Sequence, residues 1–160
     1  MMVDLYESFS KKEPRYPTVF RESIVDKFSR IGGGREEEKF AKGKFFSNYY
    51  ECFMYAVVLG LKNDYRIAFD RNKEGTRFLL VDSWHPRQMV EFIFMSLLTK
   101  SGEDLYDLEG LSDDDVDKKA LELIVLMEEY AHGGFDLIRA KMQAEPNYFV
   151  DHFSAVNFLK

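Results

Sequence analysis

Apolar residues crowd into residues 45 to 61, Phe-Phe-Ser-Asn-Tyr-Tyr-Glu-Cys-Phe-Met-Tyr-Ala-Val-Val-Leu-Gly-Leu, with Glu51 as the single charge inside the run. Phe46, Tyr49, Tyr50, Phe53, Met54, Val57, Val58 and Leu61 recur at spacings of three and four, the period of one broad helical face. Cys52, Tyr55 and Leu59 carry apolar character around the rest. A helix apolar nearly all round must be covered on several sides, so the pattern predicts a buried central helix over about 47–61. Ser47 reads as its N-cap, and Gly60 to Asp64 as its stop. A membrane span needs roughly 20 predominantly apolar residues. This run is bounded by Lys42 and Lys44 before it and by Lys62, Asn63 and Asp64 after it, which argues against insertion.

The same rules order the flanking chain. Residues 1–17 read as an extended arm, because Pro14 and Pro17 bias the residues before them toward extended geometry. A helix is expected from Thr18 as N-cap to about Arg30, with Val19, Phe20, Ile24, Phe28 and Ile31 on one face, ending in Gly32-Gly33-Gly34. Tyr65, Ile67 and Phe69 then alternate at period two, and Thr76 to Val81 is a second β-favourable run. With Arg71-Asn72-Lys73-Glu74-Gly75 between them, they predict a small β-hairpin over about 65–81. Pro86 suits the first position of a helix over about 86–99. Ser112 reads as the N-cap of a helix running to about Ala131, with Asp113, Asp114 and Asp115 in the first turn, where carboxylates favour the helix dipole. His132-Gly133-Gly134 is expected to close that helix, a further helix to span 135–143, and a last one to follow Pro146. The sum is a mainly α fold, a compact bundle of five to six helices around the buried central one. A single domain of 160 residues can bury roughly 70% of its unfolded surface.

Composition narrows the chemistry. One cysteine, Cys52, excludes an intramolecular disulfide and a cysteine-built metal site and reads as a small core residue. The start of the chain is acidic and lacks the apolar segment of a signal peptide, so the cytoplasm is the expected compartment. Residues 1–100 carry 17 Lys/Arg against 14 Asp/Glu, whereas residues 101–160 carry 5 against 14, a net −9. The C-terminal part therefore repels nucleic acid, and its charge suits either docking onto a basic protein surface or a solvated acidic face that keeps the chain in solution. Asp113, Asp114, Asp115 and Asp117, within an acidic face from Glu103 to Glu129, are the candidate partner-binding residues.

Catalytic and ligand signatures are missing. Gly32-Gly33-Gly34 is followed by Arg35-Glu36-Glu37-Glu38 rather than the Lys-Ser/Thr of a phosphate-binding loop, and the acidic connector lacks the alternating frame of a calcium loop. His85, His132 and His152 stand far apart in the sequence. No catalytic residue, cofactor or metal is expected, and an enzyme of unrecognised type, which would need a pocket with convergent titratable groups, stays a third reading. Residues 116–143 have a helix-turn-helix outline but lie in the acidic region, and phosphate contacts dominate DNA affinity. A better basic surface is Arg66, Arg71, Lys73, Arg77 and Arg87 around the hairpin, interleaved with Asp64, Asp70, Glu74 and Asp82. Direct nucleic-acid binding there is the second reading.

Two segments, Tyr49-Tyr50-Glu51-Cys52-Phe53-Met54-Tyr55-Ala56-Val57-Val58-Leu59-Gly60-Leu61-Lys62 with Arg66-Ile67 after it, and Glu128-Glu129-Tyr130-Ala131-His132-Gly133-Gly134-Phe135, together resemble a family. They are similar to the short accessory proteins encoded beside bacterial DNA-phosphorothioation (Dnd) clusters and related phage-defence loci, which carry an F-A-A-x-L-G-like helix and a Y-A-N-G-G-like helix end. The resemblance covers roughly residues 45–140 and makes Tyr130, His132, Gly133 and Gly134 structural motif residues. His132 stands where the pattern has asparagine, and either residue tolerates left-handed geometry after a helix. The resemblance implies no catalytic residues. It implies a role near DNA modification or restriction, and the expected function is a non-enzymatic accessory or adaptor that docks a larger, basic DNA-handling protein.

Overall fold

The computed structural model describes residues 2–29, 45–46, 48–151 and 153–160. The described chain is mainly helical. It runs through α1 (Met2–Ser10), β1 (Arg15–Pro17), α2 (residues 18–28, a 3₁₀ turn, a π turn and an α turn in succession), α3 (Tyr49–Lys62), the single turn α4 (Arg71–Glu74), β2 (Gly75–Arg77), α5 (Arg87–Lys100), α6 (Asp113–Ala144) and α7 (Ser154–Leu159). The glycine run at 32–34, the Ser47 cap and His152 lie outside the described residues.

The central helix is present as α3, with Cys52, Phe53, Ala56, Val57 and Leu59 almost fully buried. Its cap among the described residues is Asn48, whose side chain accepts from the Glu51 N–H at 3.2 Å. At the other end Asp64 adopts a left-handed conformation (φ 48°). The Asp64 N–H reaches the Leu61 carbonyl at 3.1 Å and the Tyr65 N–H reaches the Gly60 carbonyl at 2.9 Å, the paired bonds that close a Schellman helix end.

Four expectations are corrected. Residues 2–10 are helical rather than extended: Leu5 and Phe9, one turn apart, are buried in the core, and that burial outweighs the prolines farther along. No hairpin forms over 65–81, because Asp70 caps α4 through the Asn72 and Lys73 N–H groups, so the segment winds instead of reversing. Gly75–Arg77 pairs antiparallel with Arg15–Pro17, while the Ile67 N–H is taken by the Glu129 carbonyl at 3.0 Å. Thr18 does not cap α2; its hydroxyl faces that of Thr76 at 2.6 Å, and Val19 is exposed whereas Phe20, Ile24 and Phe28 are buried.

The fourth correction concerns the longest element. α6 is one helix of 32 residues that passes straight through His132-Gly133-Gly134, so neither a helix end nor a helix-turn-helix exists there. Trp84 is buried against Phe53 of α3 and lies nearly parallel to Phe78, with centroids 5.5 Å apart in each case, and its indole N–H donates to the Leu79 carbonyl at 3.2 Å.

Candidate functional site

Glycine in a helix interior costs about 1 kcal/mol relative to alanine, and α6 carries two in succession. Both sit where another backbone comes too close for a side chain. A Cβ on Gly134 would lie 1.9 Å from the Ala56 carbonyl oxygen, and one on Gly133 would lie 2.0 Å from that of Tyr65. From the other helix, a Cβ on Gly60 would lie 2.1 Å from the Tyr130 carbonyl oxygen. Ala56 thus meets Gly134 and Gly60 meets Tyr130, so α3 and α6 cross antiparallel with their backbones in contact. The two segments that carry the family resemblance, some seventy residues apart in sequence, are the two sides of this one crossing. Their residues hold packing geometry rather than chemistry.

His132 is a helix-interior residue here, not a left-handed cap. Its ring stands edge-on to Phe20 and Phe69, with centroids 5.6 and 5.5 Å away, and its Nδ1 is buried without a partner. Burial pushes the imidazole pKa below its ordinary value, opposed by a hydrogen bond with the Ile67 backbone and by the charge of Asp136. Tyr130 directs its hydroxyl at Asp64, 3.4 Å away, and the Tyr65 hydroxyl donates to Asp136 at 2.7 Å.

A charged centre that sequence reading missed lies one turn earlier. Glu128 is 1% exposed. Its carboxylate accepts from Arg71 Nε at 2.8 Å and Nη2 at 3.0 Å, and from the Arg15 backbone N–H at 2.7 Å. Arg15 in turn reaches the Arg71 carbonyl and the Asn72 side chain. This bidentate pair ties β1 and α4 to α6. The signal was available: Glu128 is four residues from Ile124 and four from His132, on the covered stripe of the helix.

The acidic candidates separate into two groups. Asp117 is engaged within the chain, accepting from Lys12 Nζ at 2.7 Å and the Ser8 hydroxyl at 2.9 Å, and Lys12 holds its pKa below the ordinary carboxylate value. Asp113, Asp114 and Asp115 are exposed in the first turn of α6, where the Asp115 N–H donates to the Ser112 hydroxyl. The acidic face does not extend to Glu129, since Glu128 is buried and Glu129 faces Arg66 at 3.5 Å.

The basic candidates do not gather into one free surface. Arg71 is held by Glu128, Arg66 lies beside Glu129, and Arg87 lies 3.4 Å from Asp82 at the start of α5. Lys73 and Arg77 are exposed, and Arg77 stands directly opposite Arg15 in the β ladder. Cys52 is fully buried, and burial pushes its thiol up to about 12, so it is a core residue without nucleophilic character.

Among the described residues no cluster of His, Cys, Asp or Glu is arranged to hold a metal, and no helix is long and apolar enough to cross a membrane. Fold and site define a helical protein whose motif residues are packing residues. The sequence profile of the family described as DNA sulphur modification system-associated protein 4 matches residues 36–157, and the chain belongs to that family. Comparisons with curated proteins and with solved structures give no match.

Proposed function

We propose that the protein is a non-enzymatic, single-domain, cytoplasmic accessory of a DNA sulphur modification system, and that it docks a larger, basic, DNA-handling protein through the N-terminal end of α6 and the connector before it. The supporting observation is charge placement. Residues 103–117 contain eight acidic residues and no lysine or arginine. Glu103 and Asp117 pair internally with Lys119 and Lys12, while Asp104, Asp107, Glu109, Asp113, Asp114 and Asp115 are exposed in the same segment as Tyr106, a ring 82% exposed. An exposed tyrosine is a residue that protein interfaces favour, and unneutralised charge of one sign steers encounter with a partner surface of the other.

The test is capture of the tagged protein's partner from native lysate in the presence of nuclease, with the variant Asp113→Lys/Asp114→Lys/Asp115→Lys alongside. A stoichiometric partner retained by the native chain and lost by the variant supports the reading; equal retention overturns it. Asp117 is left intact because its substitution would break the contact with α1. A second reading rests on the Arg15–Arg77 juxtaposition, like charges opposed across two strands. If that corner contacts DNA phosphate, Arg77→Ala should weaken duplex binding and reduce its salt slope by about one.

A further inference from the structure

Residues 65–70 run between α3 and α4 with no helix, turn or bend, and Tyr65, Ile67 and Phe69 are half-buried while Arg66, Ala68 and Asp70 are exposed. That alternation is the burial pattern of a β-strand. In an extended chain the N–H and C=O of one residue point to one edge and those of the next to the other. The inner edge is occupied by α6. The Tyr65 carbonyl lies against Gly133, the Ile67 N–H donates to the Glu129 carbonyl at 3.0 Å, and the His132 ring bonds the Ile67 backbone. The outer edge is open. The N–H and C=O groups of Arg66 and Ala68, and the N–H of Asp70, have no partner among the described residues, and such a row is a template for another strand.

This edge is complementary to itself. With Ala68 on a two-fold axis and the strands antiparallel, Ala68 faces Ala68, Arg66 faces Asp70 and Ile67 faces Phe69, each contact occurring twice, as an isologous interface requires. The two Ala68 residues then exchange N–H···O bonds, and the Asp70 N–H of each copy donates to the Arg66 carbonyl of the other. The ladder ends there, because the Asp70 carbonyl already accepts from the Lys73 and Glu74 N–H groups. On the exposed face a guanidinium stands across from a carboxylate at both ends, and on the other face Ile67 meets a phenyl ring, two pairings that stabilise adjacent strands. Asp70 uses Oδ1 to cap α4, and Oδ2 remains for Arg66 of the second copy. Within its own chain Arg66 is exposed, 3.5 Å from Glu129 and near Asp64, with the Tyr130 ring 6.0 Å away, and exposed contacts of this kind hold a side chain weakly. Because α6 borders the inner edge, the two bodies lie on opposite sides of the paired strands.

We propose that the chain pairs with a second copy of itself through this edge, antiparallel over residues 66–70. Twelve residues of α6, about 18 Å, separate Glu129 from Asp117, so the pairing stands or falls separately from the docking reading above. Five paired residues make an interface smaller than the roughly 1,200 Å² at which standard ones begin, and the dimer is expected to be weak, with a Kd of about 10–100 µM. Sedimentation equilibrium of the full chain from about 5 µM to about 1 mM tests it, with amide hydrogen exchange followed by NMR over the same range. The Ala68 amide should exchange about fivefold more slowly at the highest concentration than at the lowest, while that of Tyr106 is unchanged. Ala68→Pro removes the donor on the axis and should abolish association with the near-ultraviolet circular dichroism still native. Arg66→Asp sets two carboxylates against each other at both ends and should weaken the dimer at least about tenfold; as a surface change it decides the matter should Ala68→Pro disturb the fold. A chain still monomeric at the highest concentration, its edge then left for an extended segment of another protein, would overturn the proposal. So would a dimer that both variants retain, or Ala68 exchange that does not depend on concentration.

Discussion

The two ends of α6 are one continuous helix under opposite regimes. From Leu123 to Arg139 no residue is exposed, whereas between Asp113 and Glu122 only Val116 and Ala120 are buried. The first ten residues are held mostly by polar contacts: the Ser112 cap, the aspartates of the first turn, Lys119 bridging Glu103 and Glu122, and Asp117 on Ser8 and Lys12. The later stretch is held by what surrounds it, with α3 pressed against Gly134 and the Tyr65 backbone against Gly133. Residues that are poor helix formers belong to the second region and good cap residues to the first. Tertiary contact, not propensity, keeps the helix unbroken through its two glycines.

Placing a side chain in the crossing should do the most damage. Gly60→Val puts a branched Cβ where the Tyr130 carbonyl already stands, and the expected loss is about 4 kcal/mol or more, read as disappearance of the near-ultraviolet circular dichroism of the native fold. Next comes the buried pair. Glu128→Ala leaves Arg71 and the Arg15 N–H without their acceptor and should cost about 3 kcal/mol in urea unfolding. The double variant with Arg71→Ala should cost less than the two single losses added together.

A smaller effect depends on pH. Burial lowers the His132 imidazole pKa below 6.5, so the unfolded chain takes up the proton first. Stability is then full above about pH 6.5 and is lost as pH falls through that value toward the lower folded one. Asp64 and Asp117, whose pKa values are held below 3.8 by Lys100 and Lys12, weaken the fold only at lower pH. Between about pH 7 and pH 5, His132→Asn should therefore flatten the decline in urea midpoint; an unchanged slope would show that another group titrates. The smallest effect belongs to the exposed end, where Asp114→Asn removes one first-turn charge and should cost only about 0.3–1 kcal/mol, less at high salt.

What could be read from the sequence follows the same division. α3 was legible because its apolar positions repeat over four turns, and the start of α6 because Ser112 and three aspartates form a local signal. The glycine pair misled, since Gly133-Gly134 after a histidine has the composition of a helix end, and only the approach of Ala56 and Tyr65 shows otherwise. The hairpin failed for a related reason: the run at 75–77 is a strand, but its partner is Arg15–Pro17, sixty residues away, which no local alternation encodes. Glu128 was counted with surface acids because charge was read without its position on the stripe. Asp117 was grouped with its neighbours because its partners, Ser8 and Lys12, come from a segment expected to be an arm.

The account stands most directly on the sign of one change. If Gly133-Gly134 were merely tolerated in a helix, Gly134→Ala would stabilise the protein by up to about 1 kcal/mol through helix propensity. Because a Cβ there would lie 1.9 Å from the Ala56 carbonyl oxygen, equilibrium urea unfolding of Gly134→Ala should instead show a loss of about 2–3 kcal/mol. A midpoint at or above that of the native chain would contradict the contact between α3 and α6 on which this reading of the family's motifs depends.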